Sequence, residues 1–163
     1  MKRLFAITGV ILLSSVIFFV IVGEAGGPPA RTLKGRWSGI GYNVGQGNCP
    51  DNHVQNYAIA RGMLNLTGES EWFSEGCLDL ATYTSKGYAV ITASNGDRLF
   101  IGFVITLSPP DVTGAGTWSQ EEEIIGGTGR FEGVGGTSSS GGPYQYIGAF
   151  TVWSGTNEGE IYF

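Results

Sequence analysis

Short stretches in which hydrophobic and polar residues alternate follow one another along the chain after residue 30. A period of two, interrupted by Gly, Asn, Asp or Pro, is typical of antiparallel strands joined by tight turns. No segment after residue 30 sustains the apolar period of a helix. We therefore expect an all-β domain, an antiparallel sandwich or barrel. The predicted strands are Arg36–Asn43, Val54–Leu66, Leu78–Tyr83, Gly87–Ala93, Arg98–Leu107, Gly116–Ile125, Arg130–Gly135, Tyr144–Trp153 and Glu158–Phe163.

Two turns stand out between these strands. Asn95-Gly96-Asp97 predicts a type I′ hairpin, because Asn-Gly accepts the positive φ angles that this turn requires. Gly126-Gly127-Thr128-Gly129 predicts a second tight turn within the all-β domain. The Gly- and Ser-rich residues 135–142 predict a long, flexible connection after it.

The strand over Arg98–Leu107 is largely apolar on both of its alternating faces. A strand that is buried on both sides needs something to cover the outer face of its sheet. A second subunit, the segment 28–35 or a loop would each provide that cover, and we favour self-association.

The N-terminal segment Leu4–Gly23 carries no charge and follows two basic residues, which predicts an apolar helix for export. Two interpretations remain open. Gly23 and Ala25 suit a signal peptidase site, whereas the length is that of a single membrane anchor through residues 4–23. Both place the rest of the chain outside the cytoplasm, as a secreted, periplasmic or tethered protein. The predicted division is a signal peptide or anchor over 1–25, a linker over 26–35 and a β-domain over 36–163.

The chain has two cysteines, Cys49 and Cys77, and both lie in turn-like contexts. In an exported chain an even number of cysteines favours a disulfide. Two free thiols are the alternative, and a catalytic thiol is a further one. His53 is the only histidine, so a catalytic triad would have to use it, and one histidine with two cysteines does not supply a zinc site. We expect no metal and no cofactor.

The β-domain is acidic. After Lys2, Arg3 and Glu24 are removed from the totals of 9 basic and 14 acidic residues, 7 basic and 13 acidic residues remain. An acidic surface without a basic patch repels phosphate backbones, so we expect no nucleic-acid partner.

Two motifs resemble a known group of proteins. The run Ile125-Gly126-Gly127-Thr128-Gly129-Arg130-Phe131, followed by Gly133 and Gly135, resembles the hairpin shared by allene oxide cyclase barrels, dirigent barrels and related bacterial exported proteins. The preceding run from Thr92 to Phe100 is similar to the Ala-x-Asn-Gly-Asp hairpin of those bacterial relatives. The resemblance implies a closed antiparallel eight-stranded β-barrel with an apolar interior, here preceded by the N-terminal apolar helix. It also implies a homo-oligomer, since plant members are often trimers.

An eight-stranded barrel is just wide enough to be filled by side chains or to hold one small ligand. The aromatic residues of the second half are candidates to line such a cavity: Trp118, Tyr144, Tyr146, Phe150 and Trp153. Strand alternation places Glu122 on the same face as Trp118, and if that face looks inward, Glu122 is a carboxylate at the barrel mouth. Glu122 is the weak candidate for a general acid or base, although a run of charges is more often a solvated strand end.

Three classes of function remain. The first is a non-catalytic module that binds a small apolar molecule or a protein partner. The second is a cavity enzyme of the cyclase or isomerase type, and the third is a structural surface protein. A transmembrane barrel is less consistent with the sequence, because its apolar and polar residues are not segregated regularly enough along each strand.

Overall fold

A computed structural model describes residues 29–163. The predicted apolar helix, with the signal peptide or anchor over 1–25 and most of the predicted linker, lies outside the described residues. Within residues 29–163, no helix has the length and hydropathy needed to span a membrane.

The described chain forms a closed antiparallel barrel in which every strand pairs with its neighbours in sequence and β8 returns to pair with β1. This confirms the expected all-β, eight-stranded barrel. The strands are β1 (Ala30–Asn43), β2 (His53–Leu64), β3 (Gly68–Asp79), β4 (Thr84–Ala93), β5 (Arg98–Leu107), β6 (Ala115–Gly127), β7 (Gly135–Ile147) and β8 (Phe150–Tyr162).

The hairpin predicted at Asn95-Gly96-Asp97 joins β4 to β5. Gly96 has φ of +88°, a conformation that a side chain would strain. Asn95 does not have the positive φ that a type I′ turn also requires, so the hairpin is present but the predicted turn type is wrong. The Asn95 side-chain oxygen accepts a hydrogen bond from the Asp97 backbone N–H at 3.2 Å, which supports the turn.

The first half of the chain departs from the predicted boundaries. The strand β1 begins at Ala30, so residues 30–35 belong to the barrel and not to a linker. The long strand predicted over Val54–Leu66 ends at Leu64, and the whole of β3 was missed except its last residues. The inward side chains of β3 include Ser70 and Ser74, and these small polar residues obscure the alternation of hydrophobic and polar positions that reveals a strand.

The second half also departs from the prediction. Residues 135–142 are not a flexible connection but the first part of β7, with Ser138 buried inside the barrel. The strand predicted over Arg130–Gly135 is instead a short 3₁₀ helix over Gly129–Phe131 followed by a turn. The strand predicted over Tyr144–Trp153 contains the turn that joins β7 to β8. Glycine-rich sequence has low strand propensity by itself, and it is pairing with both neighbours that holds β7 extended.

One end of the barrel, which we call the closed end, is filled by packed side chains. It contains both ends of the described chain and the segment between β6 and β7. Phe131 from the 3₁₀ helix is 1% exposed and packs with the buried cluster of aliphatic side chains across this end. The buried residues of the cluster there include Leu33, Leu64, Leu99, Ile101, Ile124, Val134 and Ile161. Among residues 29–163, packed side chains therefore close this end of the barrel.

The outer face of β5 is only partly covered in a single chain. Phe100 and Gly102 are half-buried, whereas Val104 is exposed. The inner face of the same strand is buried in the barrel as expected. Self-association through the outer face stays a prediction.

Candidate functional site

The half of the barrel opposite the closed end contains a cavity of about 100 Å³. It opens between the loops that join β1 to β2, β3 to β4, β5 to β6 and β7 to β8, an end that we call the mouth. Seven aromatic side chains that alternate into the barrel line it: Trp37, Trp72, Phe103, Trp118, Tyr144, Tyr146 and Trp153. Its lining also includes polar side chains, among them Ser74, Gln120, Glu122 and Ser140.

The tryptophans of the cavity pack against one another in edge-to-face pairs. The ring centroids of Trp37 and Trp72 are 5.8 Å apart, and those of Trp118 and Trp153 are 5.3 Å apart. Such pairs contribute about 0.5–1.5 kcal/mol each beyond the area they bury. Glycine provides the space for one of these rings, because a Cβ added at Gly155 would lie 2.5 Å from Trp118 Cζ2. The aromatic wall is therefore held in place by packing.

Tyr144 and Tyr146 lie nearer to the mouth, and their ring centroids are 5.4 Å apart. The hydroxyl of Tyr144 donates a hydrogen bond to the backbone carbonyl of Ser108 at 2.6 Å. Burial raises the pKa of both tyrosines above the ordinary value of 10.0, because the ionised phenolate would lose solvation there. Both side chains are neutral phenols at neutral pH.

Among the described residues that line the cavity, Glu122 is the charged one, and it is 5% exposed. Four donors reach its carboxylate. Gln120 Nε2 donates to Oε1 at 2.8 Å and Asn157 Nδ2 donates to Oε2 at 3.0 Å. The hydroxyls of Ser138 and Ser140 donate to Oε2 and Oε1 respectively. The donors come from β6, β7 and β8, so the network ties these three strands together around one carboxylate.

This arrangement matches an ionised carboxylate. A carboxylate accepts only, with two lone pairs on each oxygen, and here each oxygen receives two donors. Among residues 29–163, no Lys or Arg side chain pairs with it. The Lys and Arg side chains of residues 29–163 are all exposed, and the salt bridges of this region are three surface pairs that do not include Glu122. A negative charge therefore lies buried in the barrel with hydrogen bonds as its compensation.

The position of Glu122 differs from the expected one. Its side chain points inward with Trp118 and Gln120, but it lies two inward positions beyond Trp118 along β6, at the floor of the cavity and not at its mouth. The donors that occupy its lone pairs leave none free to accept a proton from a substrate. In this geometry Glu122 acts as a fixed charge, and a general base would first have to lose a hydrogen bond.

One member of the network has an unused atom. Asn157 is 6% exposed, and its Oδ1 has no hydrogen-bond partner, whereas its Nδ2 also donates to Ser140 Oγ at 2.9 Å. An unpaired buried carbonyl oxygen costs free energy, so this position is held by the two bonds of its amide nitrogen.

The predicted lining residues are not all brought together. Trp118, Tyr144, Tyr146 and Trp153 line the cavity with Glu122. Phe150 does not, because it lies on the outer face at the start of β8 and is 50% exposed. In the strand β8 residues 150 and 153 point to opposite faces, so only one of them can line the interior.

The predicted disulfide is confirmed. Cys49 and Cys77 are bonded, with Cα atoms 5.5 Å apart. Cys77 lies on β3 beside the inward Gly76, and the bond holds the β1–β2 loop against the outside of the barrel. His53 is on the same side of the molecule, where its Nδ1 lies 3.0 Å from the backbone carbonyl of Asp51. Neither the disulfide nor His53 lines the cavity.

The two turns singled out in the sequence meet at the closed end. Asp97 from the first turn forms an ion pair with Arg130 from the second, at 3.5 Å, and Thr128 Oγ1 accepts a hydrogen bond from the Arg98 N–H at 3.1 Å. Gly129 has φ of +61°, and a Cβ there would lie 1.9 Å from Asp97 Oδ1. These motifs position Phe131 in the closed end and take no part in the cavity.

Among residues 29–163, no group of three or more His, Cys, Asp or Glu side chains is arranged to hold a metal ion. The buried carboxylate at the cavity floor already accepts hydrogen bonds from neutral donors, whereas a carboxylate that binds a metal ion needs free lone pairs.

Comparison with solved structures finds a similar barrel. The structure of a pterocarpan synthase dirigent protein matches with a TM-score of 0.52 and 10% sequence identity, over 86% of this chain and 89% of that chain. The chain has a dirigent-like barrel fold. No protein-family model matches the sequence, and no curated protein matches it either. At this identity the dirigent-like likeness concerns the fold alone, and a relation to the allene oxide cyclase barrels or to their bacterial exported relatives stays a prediction.

The partners of Glu122 on β7 and β8 were not predicted from the sequence. Ser138, Ser140 and Asn157 lie 16 to 35 residues from it along the chain and meet it only because the barrel closes. One feature of the sequence does indicate the two serines. Ser138 and Ser140 are an even number of positions from Tyr144 and Tyr146, so on one continuous strand all four side chains share the inner face.

Proposed function

We propose that the barrel binds one small, largely apolar ligand in the aromatic cavity. The observation that carries this proposal is the contrast between the two ends of the barrel. The closed end is packed with aliphatic side chains and Phe131, whereas the other half keeps a cavity between ordered aromatic rings. Interiors of small barrels are otherwise filled to the density of organic crystals, so a retained space lined by rigid rings fits a binding site.

The size of the cavity limits the ligand. An engineered apolar cavity of about 150 Å³ binds benzene. The cavity here, at about 100 Å³, suits a single ring or a compact head group, with any remaining part of the ligand extending through the mouth.

Binding without chemistry is favoured over catalysis by the groups that line the cavity. In the part of the chain that the structure describes, this lining contains one charged group, Glu122, whose lone pairs are already used. The named similarity to a dirigent protein is in keeping with a role in holding or guiding a ligand. We further propose that the protein works outside the cytoplasm, which the Cys49–Cys77 disulfide supports.

The experiment is a titration of the full chain with phenol as a one-ring probe, followed by calorimetry and tryptophan fluorescence. In the test variant Ala58→Phe, the new ring occupies the cavity, because Ala58 lines it from β2. In the matched control Ile59→Phe, the ring is placed one residue along on the exposed outer face. We expect phenol to bind the natural chain and the control with similar affinity and to bind the test variant at least tenfold more weakly.

Near-ultraviolet circular dichroism verifies that both variants are folded. Equal phenol affinity in all three proteins would place binding outside the cavity and refute the proposal. Absence of phenol binding to the natural chain would also refute the proposal.

A further inference from the structure

The cavity combines aromatic walls with a buried carboxylate. Its walls are rings, four of them tryptophans, and its floor carries the buried carboxylate of Glu122. The ring faces carry partial negative charge, and tryptophan is the best of the aromatic residues at attracting a cation. Both features therefore favour the same sign of charge in a ligand.

The buried charge strengthens this preference. Electrostatic interactions in an interior of low effective dielectric are several times stronger than in water. Since no Lys or Arg among residues 29–163 approaches Glu122, its field in the cavity is not cancelled by a neighbouring cation. The donors that surround Glu122 are neutral amides and hydroxyls, which stabilise the anion and leave its net charge in place.

The hydrogen-bond geometry also selects the kind of cation. Each oxygen of Glu122 already accepts two hydrogen bonds, so an incoming ammonium with N–H groups finds no free lone pair on it. A primary ammonium held against the aromatic rings would leave N–H donors unpaired there, which costs free energy. A fully alkylated ammonium has no N–H to satisfy and presents methyl groups to the rings.

We propose that the cavity recognises a compact quaternary ammonium group, held by the faces of the tryptophans over the fixed charge of Glu122. This inference rests on the proposed function, because it names the class of ligand for the same cavity. The neutral phenols of Tyr144 and Tyr146 add polarisable rings at the mouth and no competing charge.

The test compares probes of the same shape and different charge on the full chain, kept in a non-ionic detergent. Choline carries the quaternary group, 3,3-dimethylbutan-1-ol replaces its nitrogen by carbon, and ethanolamine carries a primary ammonium. We expect choline to bind about tenfold more tightly than either of the others, because only the quaternary cation gains a desolvated cation–π contact without leaving N–H donors unpaired. Calorimetry gives the three dissociation constants.

Two variants assign the preference to the cavity. Glu122→Gln removes the charge at nearly constant shape, and the matched control Glu121→Gln removes an exposed charge from the outer face of the same strand. We expect choline affinity to fall about tenfold in the first variant and less than twofold in the second. Trp153→Leu removes a half-buried ring and keeps an apolar side chain, so it should weaken choline binding and leave the neutral isostere unchanged within twofold.

The outcomes of these titrations distinguish the cation inference from the proposed function. If choline and its neutral isostere bind equally, the cation inference is wrong and the proposed function stands. If phenol binds but choline does not, the inference is again wrong on its own. If no probe binds, both proposals fail. Should Glu122→Gln fail to fold, the comparison of probes on the natural chain and on Trp153→Leu still decides, because neither depends on replacing the buried carboxylate.

Discussion

Removing the disulfide tests how the β1–β2 loop, residues 44–52, contributes to the stability of the barrel. The bond between Cys49 and Cys77 spans a sequence separation of 28 residues and crosses from this loop to β3. The perturbation is the double substitution of both cysteines by alanine, or reduction of the natural chain with dithiothreitol. In both cases the folded barrel keeps its strand pairing, and the main change is in the freedom of the unfolded chain.

The expected magnitude follows from the separation of 28 residues. Loop-closure entropy of about −2.1 − 1.5R ln n, with n of 28, is about −12 cal/mol/K, which corresponds to roughly 3.6 kcal/mol at 25 °C. For a barrel of this size, each kcal/mol lowers the melting temperature by about 3 °C, so the reduced protein should melt roughly 10 °C lower. Cys49 is itself 7% exposed, so the alanine variant loses some packing in addition.

The assay is equilibrium unfolding in guanidinium chloride, followed by tryptophan fluorescence, with and without reductant. Reductant should shift the midpoint of the natural chain and leave the double-alanine variant unchanged, which serves as the control for non-specific effects. If the natural chain has the same free energy of unfolding in both conditions, the loop-closure reasoning is wrong for this barrel.

Three further predictions concern packing and pH. Gly155→Ala should destabilise the barrel by about 1–3 kcal/mol and alter the near-ultraviolet signal of Trp118, because the added Cβ would lie 2.5 Å from that ring. Gly102→Ala is the control: its Cβ meets nothing within 4 Å, so an equal loss there would contradict the steric explanation. Phe131→Ala should cost about 3–5 kcal/mol in chemical denaturation, since the ring is 1% exposed, and a loss below 1 kcal/mol would show that the closed end does not depend on it. Hydrogen bonds from a threonine hydroxyl and two backbone amides hold the pKa of Asp111 below its ordinary value of 3.8. Its contribution to stability is therefore present above that value and lost as the pH falls through the lower folded pKa. Between pH 5 and 2 the natural chain should lose more stability than Asp111→Asn, and identical pH profiles would refute this.

The parts of the fold that were predictable are those with strong local signals. The hairpin at Asn95–Asp97 and the strand β5 follow from residues adjacent in sequence, and both are present, although the turn is not of the predicted type I′. The strands β3 and β7 were misread because serine and glycine occupy many of their inward positions. Those small residues are required by the barrel, since a Cβ at Gly142 would lie 2.1 Å from the backbone oxygen of Ser154. These small residues can be recognised as strand positions only when the neighbouring strands are known, and the sequence alone does not identify those neighbours.

The cavity was predictable only in part for the same reason. Alternation along one strand put Glu122 and Trp118 on the same face, and the structure buries that face in the barrel. It gave no information on depth, because the level of a residue in a barrel depends on the stagger between strands and on which end is plugged. The contacts of Asn157 with Glu122 cross 35 residues, so no local pattern indicates them.

Ala30, at the start of β1, pairs with Tyr162, at the end of β8, so both strand ends lie together at the closed end, away from the mouth. A fusion partner or surface immobilisation tag joined at residue 29 or 163 would therefore leave ligand entry unobstructed. By the same geometry, a circular permutant that links these positions and opens the chain at Gly148 would move both termini to the rim of the cavity, where attached fluorophores would report directly on occupancy.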